Sequence, residues 1–403
     1  MSSYRKLAKK QAFRLSMAIV AMTGGVMGWN MPVYADGVTN IQKMDAANAG
    51  TITRSGDVWT VVPDKVEGDL ATNVFSKFVV NQTNVANLQM YKGGVGANTL
   101  VNMVQGRIDI RGTVNVLKNA TTIGGNVFFL SPEGMAVGRT GVINAGSITA
   151  LAPSTDWFKD HLQDNHAKFT AADMDALKAG TIPLNADGSI VIDGHLNAQS
   201  GIRLGAPVIT VGSAESAAQL TSQNDLNFAA LVNAGSTSAG LGTLTATTGA
   251  GGDIVLAAAS NRLNNTTDDV PKYTNPLSGS KNEIKAELTV GKSAAITGDR
   301  NVVLSSYAEH TADENEAFGG TSSNTSAKLL GQSVKTTANT TVNGSVTADG
   351  RLSATAKAKN IASEAGPLSN PAGLADEVAG VIAVNVDPSY MIMGSEATVK
   401  IGA

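Results

Sequence analysis

The chain of 403 residues has no cysteine and few bulky or charged side chains. Aromatic residues make up 4% of the sequence and charged residues 16%, against about 25% charged residues in an ordinary globular chain. No disulfide can stabilise the fold, and few aromatic rings are available to build conventional cores. We therefore expect the stability of this protein to come from repetitive packing of small residues.

The signatures of a nucleic-acid-binding protein or an enzyme are also missing. A net charge of −3 provides no basic patch, so we expect no nucleic-acid partner. The sequence has no Gly-x-Ser-x-Gly elbow and no thiol nucleophile. His161 and His166 are five residues apart, which misses the same-face spacing of a helix-borne metal pair. We expect no catalytic residue, no metal and no cofactor, and interpret the histidines as satisfied surface residues.

The first residues have the pattern of an export signal. The basic residues at its head are Arg5, Lys6, Lys9, Lys10 and Arg14. An apolar run from Leu15 to about Met27 follows, and Val33-Tyr34-Ala35 fits the small-x-small rule for cleavage after Ala35. An uncleaved anchor is the alternative, but the run is broken by Gly24-Gly25 and is shorter than the roughly 20 residues that span a bilayer. We predict a signal peptide over residues 1–35 and no integral membrane segment after cleavage.

Short alternating apolar runs, each bounded by Gly or Asn, recur along the chain. Examples are residues 107–110, 189–192, 253–256 and 301–304. A period of two between turn residues predicts β-strands. Long amphipathic helices are almost absent, so the pattern indicates an all-β protein without βαβ crossovers.

A short phrase also repeats. Asn48-Ala49-Gly50-Thr51-Ile52-Thr53 returns at residues 144–149, and residues 233–236 hold a shorter copy. Asn and Gly tolerate the left-handed backbone of a sharp corner, so we interpret the phrase as a recurring corner. Gly106, Gly125 and Gly141 are spaced near the roughly 20-residue period of a short repeat. These features favour a parallel β-helix, or solenoid, over a β-sandwich, which normally has more aromatic residues in its core.

One segment, residues 153–180, departs from this pattern. It contains Trp157 and Phe158 among charged residues, and Thr170 to Asp173 form a capping-box-like helix start that Gly180 would end. We predict a short helical insertion of one or two helices on the flank of the solenoid. It is interpreted as a hydrophobic cover over a sheet face, with a receptor contact as the alternative.

The C-terminal part is less complex in sequence. Polar loops are predicted over residues 264–282 and 311–326, with a strand resuming at 287–290. Residues 397–401 still alternate as a strand, and no polar terminal repeat is visible. We therefore expect the solenoid to continue beyond Ala403.

Five connected stretches of the first half carry a family resemblance. They are residues 73–78, 87–88, 106–114, 125–138 and 141–147. Together, from about Asn40 to Thr155, they resemble the haemagglutination-activity domain of filamentous haemagglutinin-like two-partner secretion proteins, and more narrowly the leukotoxin-type filamentous adhesins of anaerobic bacteria. Where the family has an Asn-Pro-Asn-Gly-Ile turn, this chain has Ser131-Pro132-Glu133-Gly134-Met135.

The resemblance implies a right-handed parallel β-helix with an N-terminal cap. It implies a two-partner secretion domain over residues 36–265 and a continuing repeat region over 266–403. The first partner would be an outer-membrane β-barrel transporter with periplasmic domains, and folding would occur at the cell surface. The residues that it assigns to transporter recognition are Phe75, Phe78, Asn87, Ser131, Pro132, Glu133, Gly134 and Met135. We interpret Phe75, Phe78 and Trp59 as sealing the first coil or, as the alternative, contacting the transporter.

The expected function is that of a secreted or surface-displayed adhesin, with a host cell surface or extracellular matrix as the second partner. A secreted cytolysin using the same route is an alternative. A β-helix polysaccharide lyase is another, but its carboxylates would have to cluster in one groove, and Asp109, Asp193 and Asp253 are scattered along the sequence.

Overall fold

The computed structural model of the chain is mostly β, and its strands hold far more residues than its helices. Two compact units divide the chain, Met1–Val33 and Tyr34–Ala403, and everything below concerns the second. The residues that the structure describes are 38–45, 49–213, 216–223, 245–246, 252–262, 280–312, 332–362 and 391–402.

The strands, in chain order, are β1 (Asn40–Lys43), β2 (Ile52–Ser55), β3 (Val58–Val61), β4 (Lys65–Glu67), β5 (Leu70–Val80), β6 (Val85–Gln89), β7 (Tyr91–Lys92), β8 (Val95–Gly96), β9 (Thr99–Val104), β10 (Ile108–Ile110), β11 (Thr113–Leu117), β12 (Thr122–Ile123), β13 (Asn126–Leu130), β14 (Gly134–Val137), β15 (Val142–Ala145), β16 (Ser147–Leu151), β17 (Leu162–Gln163), β18 (His166–Ala167), β19 (Ser189–Ile192), β20 (His195–Ala198), β21 (Ile202–Ala206), β22 (Val208–Val211), β23 (Gln219–Ser222), β24 (Thr245–Ala246), β25 (Ile254–Arg262), β26 (Ser280–Val290), β27 (Ala295–Gly298), β28 (Val302–Ala312), β29 (Gln332–Val342), β30 (Ser345–Ala348), β31 (Leu352–Ala362) and β32 (Met391–Ile401). The helices are α1 (Thr155–Asp160) and α2 (Ala171–Ala179).

The strands stack in parallel as the three faces of a β-helix-like column. The first face runs β5-β9-β13-β16-β21-β25-β28-β31. The second face runs β5-β10-β14-β19-β22-β26-β29-β32, because β5 is long enough to serve both faces. The third face runs β3-β6-β11-β15-β20-β23-β27-β30. Successive passes around the column are called coils 1 to 8, and coil 1 contains β5 and β6. The parallel pairing favours the predicted β-helix over an antiparallel sandwich.

The N-terminal edge of the column is antiparallel. Strand β1 and strand β4 both pair antiparallel with β5, and β2 pairs antiparallel with β3 on the third face. A row of unpaired N–H and C=O groups at the edge of a sheet invites further strands to add. On the first and second faces of coil 1, β4 and β1 take up this edge. On the third face β3 covers β6 in parallel, and β2 takes up the edge of β3.

The predicted strands are confirmed as strands. The four alternating runs in the sequence correspond to β10, β19, β25 and β28, and the later runs lie in β26 and β32. The polar loops are shorter than predicted at their ends, because β26 begins at Ser280 and β28 extends to Ala312. The remainder of both loops, and residues 233–236, lie outside the described residues.

The interior of the column is mainly aliphatic, with larger rings near its N-terminal end. Phe75 and Phe78 of coil 1 form an edge-to-face pair with ring centroids 5.2 Å apart, and Phe78 also lies 6.2 Å from Phe129 of coil 3. In later coils the interior is built from Val, Ile, Leu and Ala, such as Ile254 and Leu304. This small-residue interior explains how a chain with 4% aromatic residues can bury a continuous core.

The corner between the second and third faces requires glycine. A Cβ on Gly112 would lie 2.3 Å from the carbonyl oxygen of Asn84 in the coil below, and one on Gly194 would lie 2.2 Å from that of Gly141. Both distances are shorter than any van der Waals contact, so only glycine fits where one corner stacks on another.

The repeated phrase is not a corner as a whole, and that interpretation of Asn144 is wrong. Asn144 lies inside strand β15, and the chain turns only at Gly146, where a Cβ would lie 2.6 Å from the amide nitrogen of Gly125. Asn144 is 1% exposed and stacks on Asn115 of the coil below. Asn144 therefore contributes to the fold through its side-chain amide and not through a left-handed backbone conformation.

The predicted repeat length is also wrong. Stacked asparagines are 28, 29 and 53 residues apart in sequence, and the stacked pair Asp253 and Asn301 is 48 residues apart. Gly106, Gly125 and Gly141 are not equivalent, because they lie at three different corners of the column. Their irregular spacing, which lies near 20 residues, therefore does not correspond to the period of the column.

A ladder of four buried asparagines runs up the third face. The Nδ2 atom of Asn115 donates to Oδ1 of Asn87 at 3.1 Å, Asn144 donates to Asn115 at 2.9 Å, and Asn197 donates to Asn144 at 2.9 Å. None of the four is more than 5% exposed. Each amide thus satisfies its neighbour, and only an asparagine in the same register of every coil can continue the chain of bonds.

The helical insertion joins β16 to β19 in coil 4 and covers the outer side of the first face. Phe158 of α1 and Leu177 of α2 pack on outward-facing side chains of coils 1 to 4. Those side chains are Val74, Val101, Met103, Phe128, Leu130 and Leu151. Thr170 caps α2 with a complete capping box, and Gly180 ends it in the left-handed conformation, as the sequence predicts.

We predict that Asn115→Ala lowers the free energy of unfolding by about 3 kcal/mol, because it leaves a buried acceptor on Asn87 and a buried donor on Asn144 without partners. Urea denaturation followed by circular dichroism measures this loss. Thr221→Ala is the matched control, since Thr221 occupies the same row in coil 5 and is only half-buried. An equal loss in both variants would contradict the role given to the ladder.

Candidate functional site

The segment Ser131-Pro132-Glu133-Gly134-Met135 forms the turn from the first to the second face in coil 3. The amide of Gly134 donates to the carbonyl oxygen of Ser131 at 2.9 Å. Ser, Pro and Gly at the first, second and fourth positions match the preferences of a type I turn. The sequence therefore determines the local shape of this turn.

This turn is fixed between the coils on either side of it. On the coil 2 side, Ser131 Oγ donates to the carbonyl oxygen of Gly106 at 2.8 Å, and the amide of Arg107 donates to Glu133 Oε2 at 3.1 Å. On the coil 4 side, Asn185 Nδ2 donates to the carbonyl oxygen of Pro132 at 2.8 Å. The turn thus joins coil 2 to the last residues of the helical insertion.

Gly134 is the most constrained residue of the turn. Its φ of 85° lies in the left-handed region. A Cβ at this position would lie 1.9 Å from the carbonyl oxygen of Ser189. Of the five residues in the turn, only Glu133 is exposed. In the folded protein, a partner can therefore reach little more than one carboxylate here.

Phe75 and Phe78 are fully buried in the interior of coil 1, and Trp59 on β3 packs against the same core. This is the position that sealing of the first coil requires. A partner could contact either phenylalanine ring only before the chain has folded. Arg54 lies over the ring of Trp59, 5.2 Å from its centroid, so this ring is partly covered as well.

Asn87 is the first asparagine of the ladder. It accepts from Asn115, while its own Nδ2 is buried without a hydrogen-bond partner. Its position in the same register as Asn115 gives it a structural role in the folded protein. Sequence reasoning placed it in the candidate site through the family resemblance alone.

A buried ion pair at the N-terminal edge was missed by the sequence analysis. Lys43 Nζ lies 2.6 Å from Asp64 Oδ1, and the two side chains are 4% and 5% exposed. Lys43 also donates to the carbonyl oxygen of Val62 and to Asn73, and its ammonium group lies 4.7 Å from the ring centroid of Phe75. This one side chain connects β1 to coil 1 through polar and aromatic contacts.

Asp64 is equally well satisfied. Its Oδ1 accepts from the amide of Gly50 at 2.9 Å, and its Oδ2 accepts from the amide of Val74 at 2.8 Å. A period of two puts Lys43 on the same face of β1 as the buried Ile41. That alternation is the one sequence signal for its burial, and nothing in the sequence pairs it with Asp64.

Burial lowers the pKa of Lys43 to about 8 from its ordinary value of 10.5, and the attraction of Asp64 offsets this only in part. Lys43 is therefore mainly charged at pH 7, and the ion pair is intact there. Removal of either partner alone would leave a buried group without its counter-charge, which costs more than the pair contributes.

The three carboxylates considered for a lyase have structural roles at separate places. Asp109 lies in β10 beside Arg111, Asp193 accepts from the amide of Ser213 at 2.7 Å, and Asp253 accepts from Asn301. They belong to coils 2, 4 and 6. Among the described residues no group of three His, Asp or Glu side chains is placed to hold a metal ion.

Three further expectations concern the export signal, membrane-spanning segments and the helical insertion. Ala35 and the export-signal pattern lie outside the described residues. Within the described ranges no helix is both long and apolar enough to span a bilayer. The insertion buries its apolar side chains against the first face, as expected of a hydrophobic cover.

Comparison with known proteins adds no family assignment, since no protein-family model matches the sequence and no curated protein matches it significantly.

We predict that Gly134→Ala lowers the free energy of unfolding by at least about 2 kcal/mol, because alanine disfavours a positive φ and its Cβ would overlap Ser189. Gly106→Ala is the matched control at the preceding turn, where a Cβ would meet nothing closer than 4.0 Å and φ is not positive. Chemical denaturation of both variants measures the difference. Equal stabilities would show that the turn is not constrained as described.

We also predict a pH effect that depends on Lys43. The folded-state pKa of about 8 is below the ordinary value of 10.5, so the unfolded chain binds more protons between these two pH values. Stability relative to Lys43→Met should therefore rise by up to about 3 kcal/mol as pH rises through this window, and stay constant below pH 8. Denaturation at several pH values measures this, and a difference that falls from pH 8 to 10.5 would refute the burial argument.

Proposed function

We propose that this protein is a secreted adhesin-type exoprotein, which crosses the outer membrane through a partner β-barrel transporter and folds at the cell surface. We further propose that its column is a right-handed β-helix and that the antiparallel strands β1, β2 and β4 are its N-terminal cap. The observation that carries the proposal is the unbroken parallel stacking of the first face from β5 to β31.

Such stacking suits a chain that emerges from a pore with one end first. A solenoid can nucleate at its first coils and grow by contacts between neighbours. Burial of one aliphatic side chain contributes about 1.5–3 kcal/mol, and coil 2 alone buries Leu100, Ile108, Ile110, Val114 and Val116 in the interior. Each coil that folds outside therefore opposes backward sliding and helps to drive export without ATP.

Recognition by the transporter would then involve the unfolded chain. Phe75, Phe78 and Asn87 are buried in the folded protein, and so is most of the Ser131–Met135 turn. The export-signal pattern over residues 1–35 and the absence of cysteine also fit a chain that reaches the outer membrane unfolded. In this proposal, the transporter recognises these residues while the chain is extended. After export, the same residues form part of the interior and a turn of the column.

We expect secretion to require both a transporter and residues 70–150. The full chain would be expressed in a diderm bacterial host, with and without a barrel transporter that has periplasmic domains and is encoded beside the gene. Surface exposure would be measured by access of added protease to intact cells. Deletion of residues 70–150 should leave the protein in the periplasm, because it removes coils 1 to 3 and the segments that would be recognised.

Point variants separate recognition from folding. Gly134→Ala should reduce surface exposure several-fold if folding of coil 3 helps to drive export, while Gly106→Ala should leave it unchanged. Glu133→Ala changes the one exposed side chain of the turn. A loss of export with unchanged stability would therefore indicate that the transporter recognises this side chain directly. Normal secretion of the 70–150 deletion, or secretion without any transporter, would refute the proposal.

A further inference from the structure

A lysine, an aspartate and an asparagine side chain meet in the interior of the N-terminal edge. Nζ of Lys43 lies 2.6 Å from Oδ1 of Asp64 and also contacts Oδ1 of Asn73. The Lys43 and Asp64 side chains are 4% and 5% exposed, and Asn73 is fully buried. The lysine ion pairs at Lys65 and Lys285, in contrast, lie at the surface. One amine is therefore held against both a carboxylate and a carboxamide, away from solvent.

The strand pairing of coil 1 brings these three side chains together. Strand β4 pairs with residues 70–72 of β5, and β1 pairs with residues 75–79 along the same edge. Asn73 lies between these two paired segments. Lys43 is the last residue of β1 and Asp64 directly precedes β4, so both residues reach the junction beside Asn73.

The carboxamide of Asn73 is oriented with its carbonyl group toward Lys43. Its Nδ2 donates to Oδ1 of Asn102 at 2.9 Å, and Asn102 in turn donates to the carbonyl oxygen of Phe128 at 3.3 Å. A carboxamide has one donor side and one acceptor side, so the bond to Asn102 leaves Oδ1 for Lys43. The electrophilic Cγ, which carries that oxygen, therefore lies beside the amine. Reacting groups held together in this way react far faster than the same groups free in solution.

The surroundings favour the neutral, nucleophilic form of the amine. The ring centroid of Phe75 lies 4.7 Å from Nζ of Lys43, on the interior side. Burial is the main cause that lowers the pKa of Lys43 to about 8, so about half of these amines are uncharged at pH 8. An exposed lysine is almost wholly protonated at that pH. A desolvated lysine amine is an activated nucleophile, and Asp64 is the carboxylate that can accept its proton.

We propose that Lys43 and Asn73 form a site of covalent modification, at which the two side chains join through an intramolecular isopeptide bond. Lys43 passes one proton to Asp64, and its Nζ attacks Cγ of Asn73. The Cγ–Nδ2 bond then breaks. Nδ2 leaves as ammonium after taking a further proton from Nζ and the proton held by Asp64. The products are one secondary amide, one ammonium ion and the Asp64 carboxylate, so the reaction needs no oxidant and no other reactant.

This bond would give a chain without cysteine the kind of cross-link that a disulfide provides elsewhere. It would close a loop from Lys43 to Asn73 that contains β2, β3 and β4. Such a cross-link restricts the unfolded chain and keeps β1 attached to β5 when the hydrogen bonds between them break. Lys43 no longer titrates once it is part of an amide, so the pH effect expected of Lys43 belongs to the unreacted chain. The bond does not depend on whether the protein is exported.

Mass spectrometry of the folded full chain tests for the bond. The chain would be held at pH 8 until its mass stops changing. We expect the intact mass to lie below the calculated mass by that of one ammonia molecule, and protease digestion to yield a branched peptide that links Lys43 to Asn73. An unshifted mass in a chain that circular dichroism shows to be folded would overturn the proposal. A loss of ammonia that maps to other residues, with Lys43 and Asn73 unlinked, would overturn it as well.

Variants assign the roles of the three side chains. Lys43→Met, Asn73→Ala and Asp64→Asn should each keep the calculated mass, because they remove the nucleophile, the electrophile and the proton acceptor. Lys92→Met is the matched control, since exposed Lys92 donates to the backbone carbonyl oxygen of Asp64 at 2.6 Å and has no part in the reaction. It should lose ammonia as the unchanged chain does. Loss of ammonia from Lys43→Met, or equal rates in Asp64→Asn and the unchanged chain, would contradict these roles.

Discussion

The parallel backbone pairing between coils is the constraint on which the rest of this structure depends. Because each coil must follow the path of the coil below, a side chain at a corner meets the corresponding backbone of its neighbour. Gly112 and Gly194 have no room for a Cβ for this reason, and Asn115 and Asn144 bond to each other because they share a register. The scarcity of charged and aromatic residues follows from the same geometry, since a narrow column with stacked corners accommodates mainly small side chains.

The candidate site shows how this constraint connects local turns to the whole column. Ser131 and Glu133 bond to coil 2, while the segment that ends the insertion bonds back to Pro132. At the N-terminal edge, the ion pair between Lys43 and Asp64 connects β1 to coil 1 in a similar way. Both places tie segments that are distant in sequence, so each can form only after several coils or edge strands are present.

Sequence patterns correctly predicted the structural features that depend on residues close together in the sequence. The strand containing Ile190, the capping box at Thr170 and the stop at Gly180 follow from alternation, hydrogen-bonding capacity and backbone freedom within a few residues. The repeat length and the role of Asn144 were wrong, because they depend on which coil lies beneath. The pairing of Lys43 with Asp64 was invisible for the same reason, since only the antiparallel return of β1 brings them together. No local signal encodes such partners.

The placement of the helical insertion has a consequence for how the molecule comes apart. An ideal solenoid repeat touches only the repeats beside it, so its ends can fray one unit at a time. Here Phe158 and Leu177, which enter the chain in coil 4, share one apolar cluster with Val74 of coil 1 and Val101 of coil 2. Coils 1 to 4 are thereby joined into a single cooperative block, whereas the described coils beyond them share only the interior core and have no second apolar cluster on their outer side. Under load or denaturant, the column should therefore lose its later coils separately and its first four together.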